Sequence, residues 1–385
     1  MQFEFSTSKR VVFGMGVLQQ LTSAPELDGV ERVLLVRGEG GVALTEAKDM
    51  LDSRRIRWTE FSITGEPTIS DIHSGLKIAR EFRVERVIGL GGGSVIDTAK
   101  AIAGLSVNSG DVVDYLEVVG AGKSLPVPAL GVIAIPTTAG TGSEVTRNAV
   151  IGVPDKAVKV SLRHHSMLPW LALVDPKLTL SVPPQVTAST GMDAMAQVLE
   201  PFVCIRANPI TDAYCRTGLV QVGKALKAVY LDGSDQKARE KMSLVSLMGG
   251  LALANAGLGA VHGFAGPMGG RFKLPHGVLC ARLLPAVVRV NVQALRQRDP
   301  HGQALQRYQE AARLLMGADG VGIDDLVVWL EEYCRSLDIP RLSALGISRE
   351  GANEIIGQAS AASSMKANPI RLTNEELVEI LELCV

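Results

Sequence analysis

Val87–Lys100, VIGLGGGSVIDTAK, is the stretch whose reading decides the fold. A short continuous apolar run, Val87-Ile88-Gly89-Leu90, leads into Gly91-Gly92-Gly93-Ser94 and then a helical pattern through Asp97 and Lys100. An apolar run that does not alternate reads as a strand buried on both faces, as in a parallel sheet. Glycines after it let a ligand approach the backbone, and a helix N-terminus offers free N–H groups to a phosphate. Ser94 is placed to cap that helix or to bond the phosphate itself. A tight strand-to-helix turn without a ligand reads the same way, and the run is not a GxGxxG.

Three further runs of this type flank it: Val33–Val36, Val132–Ile135 and Leu171–Val174. Phe3 to Val12 reads as extended, ending at Phe13-Gly14-Met15-Gly16. Asp71 to Phe82 reads as a helix, with Ile72, Leu76, Ala79 and Phe82 on one face. Strands alternating with helices predict a doubly wound parallel α/β layer, with ligands at the carboxyl ends of its strands. One such end is Pro136–Thr146, PTTAGTGSEVT, crowded with hydroxyls and glycines that suit ribose and phosphate oxygens. Two polar strand ends in one sheet point to a dinucleotide. The Val33–Val36 run ends in Arg37-Gly38-Glu39-Gly40-Gly41. An acidic residue after an early strand holds ribose hydroxyls, whereas an Arg there accepts a 2′-phosphate. Gly38 leaves room and Arg37 supplies charge, which tilts the reading towards NADP; Glu39 argues against it.

After Ser181-Val182-Pro183-Pro184, which reads as a linker, strand-like runs give way to helical ones. They cover 186–202, 209–230, 238–256, 279–292, 302–316, 323–337 and 373–383, and Thr373 with Glu376 forms a capping-box pattern. The expected domains are therefore 1–180, a dinucleotide-binding α/β domain, and 181–385, all helical. Asp193 and Gln197 lie four apart, so a helix turns both to one spot. His262 follows a long uncharged helix, and His276 opens another. Carboxylate, imidazole and amide oxygen around an open position suit a catalytic divalent cation. Lone histidines are more often ordinary core or surface residues, and ligands scattered over this much chain form no compact motif.

Composition narrows the function further. With 39 basic and 40 acidic residues the net charge is −1, which carries no electrostatic footprint for nucleic acid. Cys204, Cys215, Cys280, Cys334 and Cys384 are widely spaced without a CxxC, so reduced thiols and a cytoplasmic protein are expected. The N-terminal residues show no signal-peptide pattern. Met242–Gly270 carries no charge apart from a protonated His262 and has the length of a bilayer span. Its glycines, Asn255 and Pro267, and the absence of an aromatic belt, favour a buried core helix.

Taken together, these segments resemble the iron-containing (group III) alcohol dehydrogenases, relatives of glycerol dehydrogenase and dehydroquinate synthase. The resemblance runs nearly end to end. It is carried by Val12-Phe13-Gly14, GGGSVIDTAK at 91–100, PTTAGTGSEVT at 136–146, LVDPKLTLSVPP at 173–184, GMDAMAQ at 191–197, NAGLGAVHGFAGPMGG at 255–270 and PHGV at 275–278. It implies a dehydroquinate synthase-like fold, an α/β nucleotide domain and a helical domain with a catalytic metal in the cleft between them. It implies an NAD(P)-linked alcohol dehydrogenase acting on a small alcohol or aldehyde, often as a homodimer. The family's metal ligands, for Fe2+ or Zn2+, fall on Asp193, Gln197, His262 and His276, with Asp193 and His262 at the centre of catalysis. Its pyrophosphate contacts fall on Gly93 and Ser94, beside Gly92 and Asp97. Its other nucleotide contacts fall on Thr137, Thr138, Thr141, Val150, Lys159 and Leu178. An aspartate that selects NAD in some members falls on Gly38. Many members have His where this chain has Gln197, and a second His at the position of Gly266. An amide is a poorer donor than imidazole. With Gly266 in place of that second imidazole, the proton is expected to leave through water or a ribose hydroxyl. Two other readings compete: an oxoacid reductase like maleylacetate reductase, with Arg147, Arg163 and His164 as candidate carboxylate contacts, and a nucleotide-binding protein whose metal site has decayed.

Overall fold

The structure, a computed structural model, describes residues 2–38, 41–348, 351 and 354–385. They divide into two compact units. The first comprises residues 6–138 and 142–181; the second comprises residues 2–5, 139–141 and 182–385 among those described.

The first unit is built on a six-stranded sheet: β1 (Arg10–Phe13), β2 (Arg32–Arg37), β3 (Arg57–Ser62), β4 (Arg86–Gly91), β5 (Gly131–Pro136) and β8 (Leu171–Val174). Their order is β1-β8-β5-β4-β2-β3, and every pair is parallel. The continuous apolar runs have a direct physical cause. Leu34, Val36, Val87 and Val132 pack into one core, whereas Val33, Leu35, Ile88, Leu90, Ile133 and Ile135 pack into another on the opposite face. Successive side chains alternate between faces, and both faces are covered. Helices α1 (Val42–Ser53), α2 (Ile69–Phe82), α3 (Gly93–Leu105) and the short α4 (Val112–Tyr115) connect the strands. Thr68 and Asp71 close α2 with a capping box. From β2 the chain moves outward to β3 and then returns to the other side of β2 as β4. That reversal is a topological switch point, and it opens a crevice at the strand ends Arg37 and Gly91.

Two features were not legible in the runs. An antiparallel hairpin, β6 (Asn148–Val153) and β7 (Val158–Arg163), stands outside the main sheet. β3, RWTEFS, is an edge strand with half-exposed residues and no apolar run to betray it. The extended reading of Phe3–Val12 becomes a strand only from Arg10.

The second unit is helical: α5 (Pro184–Val203), α6 (Pro209–Leu231), α7 (Gln236–Ala256), α8 (Ala260–Phe272), α9 (His276–Arg298), α10 (Gln303–Met316) and α11 (Ile323–Ser336), followed by helices Ile356–Ala361 and Asn374–Cys384. Thr373 and Glu376 form the expected capping box. From Thr187 to Val203 nearly every residue of α5 is buried, because α6, α7, α9 and α10 surround it. The uncharged stretch Met242–Gly270 is two helices, α7 and α8, meeting at 99°. A second helix was missed there because its glycines and Pro267 are poor helix formers. Contacts made in space replace propensity: the Ala260 N–H donates to Asn368 Oδ1 at 3.1 Å and the Val261 N–H to Glu200 Oε1 at 2.8 Å. These bonds satisfy donors that a helix start leaves free. α9 is long and apolar enough to cross a membrane, but 78% of its most apolar window is buried inside the protein.

Candidate active site

Three helices of the second unit bring the metal-type donors together. Asp193 and Gln197 lie one turn apart on α5 and are almost fully buried. His262 is in the first turn of α8, and His276 is the first residue of α9. His262 Nε2 lies 3.2 Å from Asp193 Oδ1, and His276 Nε2 lies 3.8 Å from the same oxygen. α9 approaches α5 closely enough for this because of Gly277. A Cβ there would sit 2.7 Å from the Ser189 carbonyl oxygen, so only glycine lets the first turn of α9 lie against the α5 backbone.

Two residues that the sequence reading passed over complete the arrangement. Glu200 lies seven residues after Asp193 on α5 and so shares its face. Its Oε2 lies 2.5 Å from His262 Nδ1, while its other oxygen takes the Val261 N–H. A carboxylate is an acceptor, so His262 keeps a proton on Nδ1 and, once Nε2 gives up its own, turns that nitrogen's lone pair to the site. Cys280 is the second. Its Sγ lies 3.4 Å from His276 Nε2 and 3.8 Å from His262 Nε2. One donor atom from each of Asp193, His262, His276 and Cys280 lies within 4.8 Å of all the others. The available signal was the His276–Cys280 spacing of four within a helix, which places both on one face.

The electrostatics describe a nest made for positive charge. Burial would raise the Asp193 carboxyl, but His276 and His262 beside it hold it below the ordinary carboxylate range. Burial would drive His262 towards neutrality; Cys280, Glu200 and Asp193 reverse that and hold its pKa well above the usual value. His276 is pushed up to about 9, with burial opposing and Cys280 and Asp193 prevailing. Gln197 adds a further sign. Its amide nitrogen donates to the Gly140 carbonyl at 3.0 Å, which leaves Oε1 buried without a hydrogen-bond partner. An orphaned oxygen one helical turn from Asp193 is a donor still open to a divalent cation. The residues present therefore suit the metal that the resemblance implies.

In the first unit, the ends of β2 and β4 open into a cavity of about 700 Å³. Arg37, Gly38, Gly91, Gly92, Thr137 and Leu178 are among the residues lining it. A Cβ on Gly91 would meet Val95 Cγ2 at 2.5 Å, so the turn into α3 requires glycine. Gly92, not Ser94, is the N-cap of α3, and no side chain caps it. The first amides of α3, on Gly93 and Ser94, therefore remain available to an anion. Thr138 lies beside Gly92. Asp97 faces inward instead: it takes the Ser143 hydroxyl and, at 2.9 Å, the Val150 N–H, and pairs with buried Lys100 at 3.0 Å. It thus ties β6 to α3. Lys159 on β7 pairs with Glu66, and Thr141 belongs to the second unit. The Arg37 guanidinium bonds Glu60 at 2.9 Å, which also pairs with Lys48. Glu39 lies outside the described residues. Of the candidate carboxylate contacts, Arg163 faces Glu117 at 3.6 Å and the His164 ring bonds Ser166 at 2.7 Å, so both have partners of their own.

Comparison with known proteins decides the relationship. Residues 8–176 match the iron-containing alcohol dehydrogenase family, and residues 187–385 match the C-terminal region of the Fe-containing alcohol dehydrogenase family. The chain belongs to the iron-containing alcohol dehydrogenase family. It is 35% identical over 375 residues to alcohol dehydrogenase 4 of Saccharomyces cerevisiae, covering 96% of this chain and 95% of that protein. Among solved structures it resembles a 1,3-propanediol oxidoreductase, with a TM-score of 0.92, 27% identity and full coverage of both chains. It also resembles the sulfoacetaldehyde reductase of Bifidobacterium kashiwanohense in complex with NAD+, with a TM-score of 0.87, 27% identity and coverage of 100% and 99%. Within this iron-containing alcohol dehydrogenase two positions stand apart. Gln197 replaces the expected imidazole. At Gly266 an added Cβ would meet nothing within 4 Å among the described residues, so no neighbouring group fills the space.

Proposed function

We propose that the protein is a metal-dependent, NAD(P)-linked alcohol dehydrogenase that also runs in reverse as an aldehyde or ketone reductase. The observation that carries this reading is the convergence of Asp193, His262 and His276 from three helices in a family of alcohol dehydrogenases. Asp193, Gln197, His262 and His276 would hold the divalent metal, iron or zinc. When bound, that metal supplies Lewis acidity at the substrate oxygen, making the hydroxyl easier to ionise and the carbonyl easier to reduce. Glu200 fixes the His262 ring so that its Nε2 stays turned to the site. Gly92, Gly93 and Ser94 cradle the pyrophosphate with backbone amides, and Gly38, Thr137 and Leu178 line the space for the rest of the nucleotide. Asp97, Val150 and Lys159 shape that region through the bonds that hold β6 and β7.

Oxidation of the alcohol sends a hydride to the nicotinamide and a proton to solvent. With Gly266 open, water or a ribose hydroxyl carries that proton. Gly38 favours NADP over NAD, since no carboxylate at position 38 opposes a 2′-phosphate, whereas Arg37 would have to leave Glu60 to reach it. The protein acts on small alcohols as a homodimer, as the family resemblance implies, and in the cytoplasm, in keeping with its free, buried thiols. A panel of primary alcohols and aldehydes, assayed with NAD(H) and NADP(H) on metal-stripped and reloaded protein, tests the reading. Turnover that returns with metal is expected. Nucleotide binding without turnover on any substrate would instead favour a binding protein with a decayed site.

A further inference from the structure

Building on that metal-dependent reading, we infer that Cys280 is a ligand of the metal, taking the fourth place assigned above to the weaker Gln197 amide oxygen and turning the site towards zinc. Four atoms face one point: Asp193 Oδ1, His262 Nε2, His276 Nε2 and Cys280 Sγ. Bonds of roughly 2.0–2.1 Å to nitrogen or oxygen and 2.3 Å to sulfur give tetrahedral edges of about 3.3 Å between N/O donors and about 3.6 Å from sulfur to nitrogen. The observed separations are 3.2 and 3.8 Å for oxygen to the two nitrogens. They are 3.4 and 3.8 Å for sulfur to the same nitrogens. The whole quartet fits within 4.8 Å.

A hydrogen-bonding role does not explain this geometry as well. A thiol donates one proton and its sulfur is only a weak acceptor for a second imidazole, yet it stands near both. His262 spends its Nδ1 proton on Glu200. Its Nε2 is left facing Asp193 Oδ1 and Cys280 Sγ, a position that a proton serves without the metal and that a bound cation would take over. Cys280 is fully buried among α5, α8 and α9, whereas the His276 side chain is 32% exposed. The more exposed His276 side is where a substrate oxygen would approach. Gln197 offers only a neutral amide oxygen, and its nitrogen is tied to Gly140. A soft thiolate in place of imidazole favours zinc over ferrous iron, adding to the general order in which zinc already binds more tightly.

The test uses cobalt(II) added to the metal-stripped full-length protein, whose sulfur-to-cobalt charge transfer absorbs in the near ultraviolet. One equivalent should produce that band in the wild type and not in Cys280→Ser, in which the other four cysteines remain. Zinc-edge X-ray absorption of the wild type should show one sulfur at about 2.3 Å, a readout independent of how the variant folds. The zinc-to-iron affinity ratio should fall at least about tenfold in Cys280→Ser. A metal-loaded, active wild type with only nitrogen and oxygen neighbours would overturn the sulfur ligand and leave the dehydrogenase standing. A wild type that binds no metal would overturn both.

Discussion

Glu200 shows how one side chain can govern a site it does not enter. One of its oxygens caps the start of α8 and the other orients His262, so it sets both where that ring sits and which nitrogen it offers. Glu200→Gln should lower metal affinity roughly 10–100-fold, read by competition with a chelator; unchanged affinity would refute the orienting role. Glu144 is a different case. Its carboxyl is pushed up to about 7, chiefly by burial, against the pull of its own backbone amide and of Lys100. The folded pKa exceeds the ordinary value of 4.5. The stability linked to Glu144 is thus fully present below about pH 4.5 and is lost as pH rises through about 7. Glu144→Gln should therefore resist urea better than the wild type at pH 8, by on the order of 1–3 kcal/mol, and gain little at pH 5. An equal offset at both pH values would contradict this. At this scale the sequence showed Asp193, His262 and His276 but not Glu200 or Cys280. Glutamate and cysteine are common enough that only their helical phase, seven residues from Asp193 and four from His276, sets them apart.

Elements were legible where burial imposes a pattern. The doubly covered strands β2, β4, β5 and β8 read as apolar runs, and long helices such as α6 and α11 read from their periodicity. Edge strand β3 and the β6–β7 hairpin escaped because one side of each meets water. Helix α8 escaped because tertiary bonds to Asn368 and Glu200, rather than its own residues, start it. The packing of α9 on α5 depends on one glycine. Gly277→Ala would place a Cβ 2.7 Å from the Ser189 oxygen and push the first turn of α9, with His276, away from Asp193. Zinc affinity should drop at least about tenfold, a loss of roughly 1.4 kcal/mol, while far-ultraviolet circular dichroism stays unchanged. Wild-type affinity in this variant would show that the close approach does not position His276.

Across the molecule, strand order decides where a nucleotide can lie. The reversal between β2 and β4 puts Gly38 and Gly91–Gly92 on one cavity, and the alternation of strands and helices announced that layout without fixing which strand ends would adjoin. Gly38→Asp tests it. The new Cβ would meet Val95 at an ordinary 3.6 Å, and its carboxylate would repel a 2′-phosphate while accepting ribose hydroxyls. The ratio of kcat/KM for NADPH over NADH should fall at least about tenfold, and an unchanged ratio would remove residue 38 from the nucleotide site. The claim beneath all of this is that the Asp193–His262–His276 cluster holds the metal on which hydride transfer depends. The direct measurement is turnover against metal content, titrating zinc or ferrous iron into stripped wild type and stripped His262→Ala. Turnover should rise with metal and level off near about one ion per chain in the wild type, and stay below roughly a hundredth of that in the variant. Full turnover by stripped wild type, or by the variant, would contradict the account.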